Sequence, residues 1–146
     1  MLYELARAVL FRMSPETAHS VIMNNIDWAV AFGLTKLVSR VPKDSPVTVM
    51  GLRFPNAIGL AAGMDKLGAH VNAMGGLGFG HIEVGTITPR AQPGNEKPRC
   101  WRVIPAKGVI NHMGFNNCGA DAAIHNLKSA DAFKLRGGIV GINIGK

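Results

Sequence analysis

Three short apolar runs flanked by glycine set the fold class of this chain, and the two later ones carry a polar group, Thr86 and Lys146, at or near their ends. The runs are Ile58 to Ala62, His81 to Ile87 and Gly138 to Lys146. Residues 66–74 and 119–135 between them read as helices, and Gly75-Gly76-Leu77-Gly78-Phe79-Gly80 and Gly137-Gly138 as turns. Units that alternate strand, glycine-rich turn and helix build a parallel sheet or a βα barrel.

Ahead of Pro46 the pattern is helical. Leu2, Leu5, Ala6, Val9, Leu10 and Met13 fall on one face of a helix over residues 2–13. Ser14-Pro15-Glu16 then supplies a capping hydroxyl, a proline for the first turn and an acid at the positive helix end, so a second helix starts there and runs to about Phe32. Gly33 is a left-handed stop, and residues 34–40 read as a short third helix closed by Val41-Pro42. The second helix carries Val21, Ile22, Met23, Ile26, Trp28, Ala29, Val30 and Phe32, an apolar surface too broad for one packing stripe. It fits two readings: a surface that docks on a membrane or admits a lipid-like ligand, or helices packed on the rest of the domain. Residues 1–45 therefore form a helical extension and 46–146 the βα part, opened by a hairpin from Val47 to Phe54 around Gly51.

A chain of 146 residues that is 47% apolar can bury one core. No run reaches the length of a membrane-spanning helix, and Met1-Leu2-Tyr3-Glu4 lacks the basic head of a secretory signal, so a cytosolic location is expected. Cys100 and Cys118 lack metal-type spacing and read as reduced thiols. The formal charge of +7 favours anionic partners, and most of the excess lies in residues 47–110, with seven basic against three acidic side chains. No Lys/Arg cluster is interleaved with aromatics, which argues against nucleic acid. His19, His70, His81 and His125 share no metal-ligand spacing, so no metal is expected.

The chemistry concentrates at the strand ends. Ala61-Ala62-Gly63-Met64-Asp65-Lys66 places small residues and a lysine just behind a strand, where a planar ring can lie on bare backbone while the ammonium reaches its polar edge. Residues 91–99, with Pro93-Gly94-Asn95 and Pro98, form a long loop. Cys100 to Ile104 and Gly108 to Ile110 pair as a hairpin that hangs Asn111 to Asn117 near the same rim. On residue type alone, Gly63 and Gly78 also fit ordinary strand-to-helix turns, Lys66 an exposed helix-start lysine, and Asn111 and Asn143 turn or buried amides. Met64, Met74 and Met113 read as packing.

Taken in order, Gly59-Leu60-Ala61-Ala62-Gly63-Met64-Asp65-Lys66, Glu83-Val84-Gly85-Thr86-Ile87-Thr88-Pro89-Arg90, Gln92-Pro93-Gly94-Asn95, Lys97-Pro98-Arg99, Asn111-His112-Met113-Gly114-Phe115-Asn116-Asn117 and Gly141-Ile142-Asn143-Ile144-Gly145-Lys146 resemble the membrane-associated, class 2 dihydroorotate dehydrogenases. The resemblance implies a (βα)8 barrel with FMN across its C-terminal mouth, preceded by a helical extension. It implies oxidation of (S)-dihydroorotate to orotate with a quinone acceptor in pyrimidine biosynthesis, and peripheral attachment of the extension to the cytoplasmic side of the inner membrane. Ala62 and Gly63 are then expected to back the flavin, Thr86 and Asn143 to hydrogen-bond it, and Lys66 to serve flavin and substrate together. Asn111, His112, Met113, Gly114 and Phe115 are expected along the orotate pocket. The family pattern has Arg where this chain has His112, which removes a fixed charge there.

A (βα)8 barrel takes on the order of 250 residues, and residues 47–146 fit its first three strands. The expectation is thus a truncated barrel that is inactive and loosely packed alone. The family's serine base belongs to a loop after the next strand, so no catalytic base is assigned in this chain. Another flavin barrel, such as a dihydrouridine synthase, explains the fold but not the Asn111 to Asn117 loop or the extension. The alternative from a different class is a non-catalytic module that binds lipid or a partner through its helices.

Overall fold

The computed structural model describes residues 2–34 and 45–146. Helix α1 (Leu2–Leu10) is followed by α2 (Pro15–Ala31). The Ser14 hydroxyl accepts from the Thr17 amide at 3.2 Å, the N-cap that the Ser-Pro-Glu start predicts. The expected helix over 34–40 falls almost wholly on 35–44, outside the described residues.

Strands β1 (Val47–Val49) and β2 (Leu52–Phe54) pair antiparallel. Their turn places Met50 at φ 50° and Gly51 at φ 78°, and this double left-handed step matches the twist of a hairpin. Next come β3 (Gly59–Leu60), α3 (Val71–Gly76) and β4 (His81–Ile87). Strands β5 (Cys100–Val103) and β6 (Gly108–Asn111) form a second antiparallel hairpin, joined by a 3-10 turn over Ile104–Ala106. Helices α4 (Ala120–Leu127) and α5 (Asp131–Leu135) lead into β7 (Ile139–Ile144).

The central sheet has the order β3-β4-β7, all parallel, with Gly59 opposite His81 and His81 opposite Ile139. These are the three expected βα strands, and among the described residues they form an open sheet. Its helix-facing side is the core. Ile82 and Val84 are fully buried and pack with Val71 and Met74 of α3, Phe133 of α5 and Met23 of α2. The Phe133 ring lies so close to Gly75 and Gly138 that a Cβ at either would overlap it. The glycines read as turns are therefore also places where a helix and a strand close on one aromatic ring.

Two helices differ from expectation. The helix expected from Lys66 begins only at Val71, because the buried Asp65 carboxylate accepts from the amides of Ala69 (3.1 Å) and His70 (2.8 Å) and Gly68 is left-handed at φ 66°. That turns residues 65–70 into a capped loop. The helix expected over 119–135 is interrupted at 128–130. There the Asn72 amide donates to the Ser129 carbonyl, and its oxygen accepts from the Phe133 amide at 3.0 Å. A side chain from α3 takes the place of local helical bonds.

Helix α2 buries Ala18 and Met23 but leaves Val21, Ile22, Trp28 and Phe32 exposed, with the Trp28 and Phe32 rings stacked at 5.4 Å. On α1, Tyr3, Leu5 and Val9 are exposed as well. Packing on the domain accounts for one side of the extension and leaves an apolar outer surface. No described helix is long and apolar enough to cross a membrane.

Candidate ligand cleft at the strand ends

A cleft of about 600 Å³ opens where the C-terminal ends of the parallel strands meet the β5–β6 hairpin and the start of α2. Ala62 and Gly63 line it from the end of β3, Gly85 and Thr86 from β4, and Asn143 from β7. Lys66 follows on the capped turn. Asn111, Met113, Gly114, Phe115 and Asn116 form the opposite wall, and Pro15, Glu16, His19 and Cys100 complete it. The structure thus gathers Ala62, Gly63, Lys66, Thr86, Asn111, Met113, Gly114, Phe115 and Asn143 around one space.

It does not bring His112 there. The imidazole lies flat on the Trp101 indole, with centroids 5.2 Å apart and 1° between the planes, and is exposed. Successive residues along an extended segment point to opposite faces, so Asn111 facing the cleft sends His112 away. Its backbone still works for the loop, accepting from the Asn95 amide at 2.7 Å.

The floor is backbone. Past β3, the Gly63 amide donates to Gly85 O at 2.9 Å and the Gly85 amide to Asp65 O at 3.2 Å, so strand-like pairing continues to the cleft. Gly85 stands at φ 110°, and a Cβ there would lie 2.5 Å from Asn143 O. Glycine is what lets β4 and β7 close at this level. Gly63, at φ 105°, is the reverse case, because a Cβ there meets nothing within 4 Å.

Polar groups are arranged in two sets. Along the strand ends the Thr86 hydroxyl donates to Asn143 Oδ1 at 2.6 Å, and Asn143 Nδ2 donates to Glu83 Oε1 at 3.1 Å. Across the cleft, Lys66 Nζ donates to Asn116 Oδ1 at 3.0 Å. Partial burial pushes the Lys66 ammonium below its ordinary value. Arg99 adds to that, while the negative charge of Glu16 and, when ionised, of Cys100 opposes it.

The opposite wall is braced from behind. Buried Asn117 holds Thr88 and Gly119 through Oδ1 (3.2 and 2.8 Å) and donates to Thr88 Oγ1 (2.8 Å) and Phe115 O (2.7 Å). Gln92 donates to Gly114 O at 3.1 Å, and the Asn95 amide to Met113 O at 3.0 Å. Arg99, itself buried, donates to Pro93 O (2.6 Å) and Asn95 O (2.9 Å) and grips the Glu16 carboxylate.

Sequence reading did not find Glu16, His19, Cys100 or Asn116 as lining residues, nor Arg99 as their organiser. Asn116 was within reach, since it lies inside the Asn111 to Asn117 run. Glu16 reads locally as a helix-dipole acid. His19 is half-buried with Nε2 2.8 Å from Met64 O.

The fold and the cleft define part of a parallel βα protein whose cleft lies at the strand ends, where such barrels usually bind their ligands. The model of the dihydroorotate dehydrogenase family matches residues 45–146. The chain is 53% identical over 145 residues, 99% of its length, to a dihydroorotate dehydrogenase (quinone) of Ralstonia nicotianae, and 53% identical over 146 residues to one of Dechloromonas aromatica. Among solved structures, DHODH from Eimeria tenella in complex with ferulenol superposes with a TM-score of 0.76 at 37% identity, covering 90% of this chain and 36% of that one. The ligand-free form of that protein gives 0.75 at 36% identity. This chain belongs to the dihydroorotate dehydrogenase family. It spans 42% of the length of the two bacterial relatives, so the barrel strands seen here are a share of the family's fold.

The residues fit a flavin of the kind the family implies. Ala62 and the open Gly63 present a strip of wall with a single methyl, on which a flat ring can rest. Lys66 supplies a cation, and Thr86 with Asn143 supplies polar atoms at the next two strands.

Proposed function

We propose that this chain furnishes the flavin floor and one substrate wall of an FMN-dependent enzyme that oxidises (S)-dihydroorotate to orotate and passes the electrons to a quinone, in pyrimidine (UMP) synthesis. The observation that carries this reading is the convergence of Gly63, Lys66, Thr86, Asn143 and Asn111 on one cleft. FMN, when bound, would supply the hydride acceptor for dihydroorotate and the two-electron donor for quinone.

The chain's own residues bind and orient. Ala62 and Gly63 allow close approach of a ring face. Thr86 and Asn143, already aligned by their mutual hydrogen bond, present lone pairs and amide hydrogens at its edge. Lys66 offers one compact charge to negative density on the ring edge and to the substrate carboxylate, and its bond to Asn116 fixes where that charge sits. Asn111 matches the donors and acceptors of a pyrimidine ring. Glu16 and Arg99 hold the helical extension against the loop that backs this wall, which limits water entry from that side. The proton that leaves the substrate carbon needs a base, and none is assigned to a residue of this chain.

The extension is proposed to attach peripherally to the cytoplasmic side of the inner membrane, where quinone is dissolved. The exposed Tyr3, Leu5, Val9, Val21, Ile22, Trp28 and Phe32 support this.

The test is steady-state oxidation of dihydroorotate with a soluble quinone, using a chain that carries the remaining length found in its relatives. Flavin-dependent turnover that falls in Lys66→Ala is expected. A colourless protein that leaves dihydroorotate unchanged overturns the reading and favours a non-catalytic lipid- or partner-binding module.

A further inference from the structure

We propose that the tip of the β5–β6 hairpin docks on an anionic lipid bilayer together with α1, through Ile104, Lys107 and Val109. This rests on the peripheral-membrane reading above and extends the contact from the helical extension to the βα part of the chain.

The hairpin and α1 form one surface because Arg102 joins them. Its Nη1 donates to Met13 O at 2.7 Å and its Nη2 to Leu10 O at 3.4 Å, which satisfies carbonyls at the end of α1. The same guanidinium stands 4.6 Å from the centroid of the Phe11 ring, and Arg7 stands 4.8 Å from it. In the hairpin Val109 is the cross-strand partner of Arg102, so it lies on the face turned toward α1.

At the free end, Ile104 and Val109 are each 60% exposed and do not line the ligand cleft. Lys107 follows Ile104 on the turn, in the left-handed region at φ 49°, and is exposed. An exposed turn of this composition can insert between lipid headgroups, with a lysine stem lying along the apolar boundary and its ammonium among phosphates.

Charge selects an anionic surface. Residues 2–13 and 100–111 carry Arg7, Arg12, Arg102 and Lys107 against Glu4 alone, and Glu4 is paired to Arg7 at 3.3 Å. Tyr3, Leu5 and Val9 of α1 are exposed apolar groups as well.

Residues 1–146 hold two tryptophans, Trp28 and Trp101, and the test uses a chain carrying the relatives' full length with any tryptophan of the added part replaced by phenylalanine. W101F leaves Trp28 as a reporter on α2, and W28F/W101F/I104W places the single indole at the hairpin tip. Each is mixed with phosphatidylcholine vesicles containing phosphatidylglycerol, with and without brominated acyl chains. Both reporters are expected to be quenched by brominated lipid. K107Q should lower partition into the anionic vesicles by roughly fivefold, the effect of one basic residue at such a surface, and leave binding to pure phosphatidylcholine unchanged. V109W in the tryptophan-free background repeats the reading from the other strand, so a single misfolded variant does not decide the result. Quenching of Trp28 without quenching at residues 104 and 109 overturns the hairpin contact and leaves the helical one standing. If no reporter is quenched, the membrane reading itself fails. If the hairpin reporters respond only to protein concentration, the surface belongs to a second copy of the chain and the proposal is wrong.

Discussion

Arg99 closes on Glu16 with two hydrogen bonds, Nη2 to Oε1 at 2.6 Å and Nε to Oε2 at 3.3 Å, across 83 residues of sequence. The pair fixes the first turn of α2 to the loop behind the Asn111 to Phe115 wall, with exposed Lys97 adding a weaker contact at 3.4 Å. The geometry is bidentate, and the arginine is buried with its remaining donors on Pro93 and Asn95 carbonyls. Removing the carboxylate therefore leaves a dry cation, which is worse than losing a surface ion pair.

This gives a pH prediction. The hydrogen bonds from Arg99 hold the Glu16 carboxyl below its ordinary value of 4.5, against a smaller opposing effect of burial. A depressed acid contributes stability above 4.5 that is lost as the pH falls through the folded value. Proteolytic nicking around residues 11–14 should thus rise below about pH 4.5. In Glu16→Gln it should already be high at neutral pH and lose that acid step. Identical acid profiles for the two proteins would refute the role given to this pair.

Lys66 carries the largest functional prediction. In a chain of the relatives' full length, Lys66→Ala should lower turnover by about 10²–10³-fold, the usual loss when a preorganised charge is removed. Because burial lowers the ammonium's pKa, substrate binding should weaken on the alkaline side before pH 10.5, as the lysine neutralises. Kinetics at several pH values check both points.

Core packing centres on Phe133, which sits over two glycines. Phe133→Ala should cost about 3–5 kcal/mol. Gly138→Ala should cost about 1–3 kcal/mol, since the added methyl runs into the ring. Urea unfolding of the two variants should keep that order.

Asn117 braces the wall with four hydrogen bonds at a buried position, so Asn117→Ala should cost about 1–3 kcal/mol. Amide exchange should rise most at Gly119 and Thr88, whose N–H groups lose their acceptor.

The sequence carried the architecture wherever a local rule decides it. Apolar runs beside glycines placed β4 and β7, Ser14-Pro15 placed the start of α2, and Gly51 placed the turn of the first hairpin. It failed where a distant side chain overrides local preference. Asp65 delays α3 by capping residues 69 and 70, and Asn72 divides the helix expected over 119–135. The same limit applies to the site. Nine of its residues were legible because they repeat a family's ordered motifs, whereas Glu16 and Arg99 meet only in three dimensions. His112 was misplaced because a motif gives membership of a loop, and alternation along that loop decides which side chains face inward.

Flavin titration of a chain carrying the relatives' full length is the most direct trial of the central claim that Gly63 offers its open face to a flat cofactor. The account predicts stoichiometric FMN binding with a visible-absorbance change on adding orotate, and loss of both in Gly63→Val. A wild-type protein that stays colourless at saturating FMN, or a Gly63→Val variant that binds as well as wild type, would contradict it.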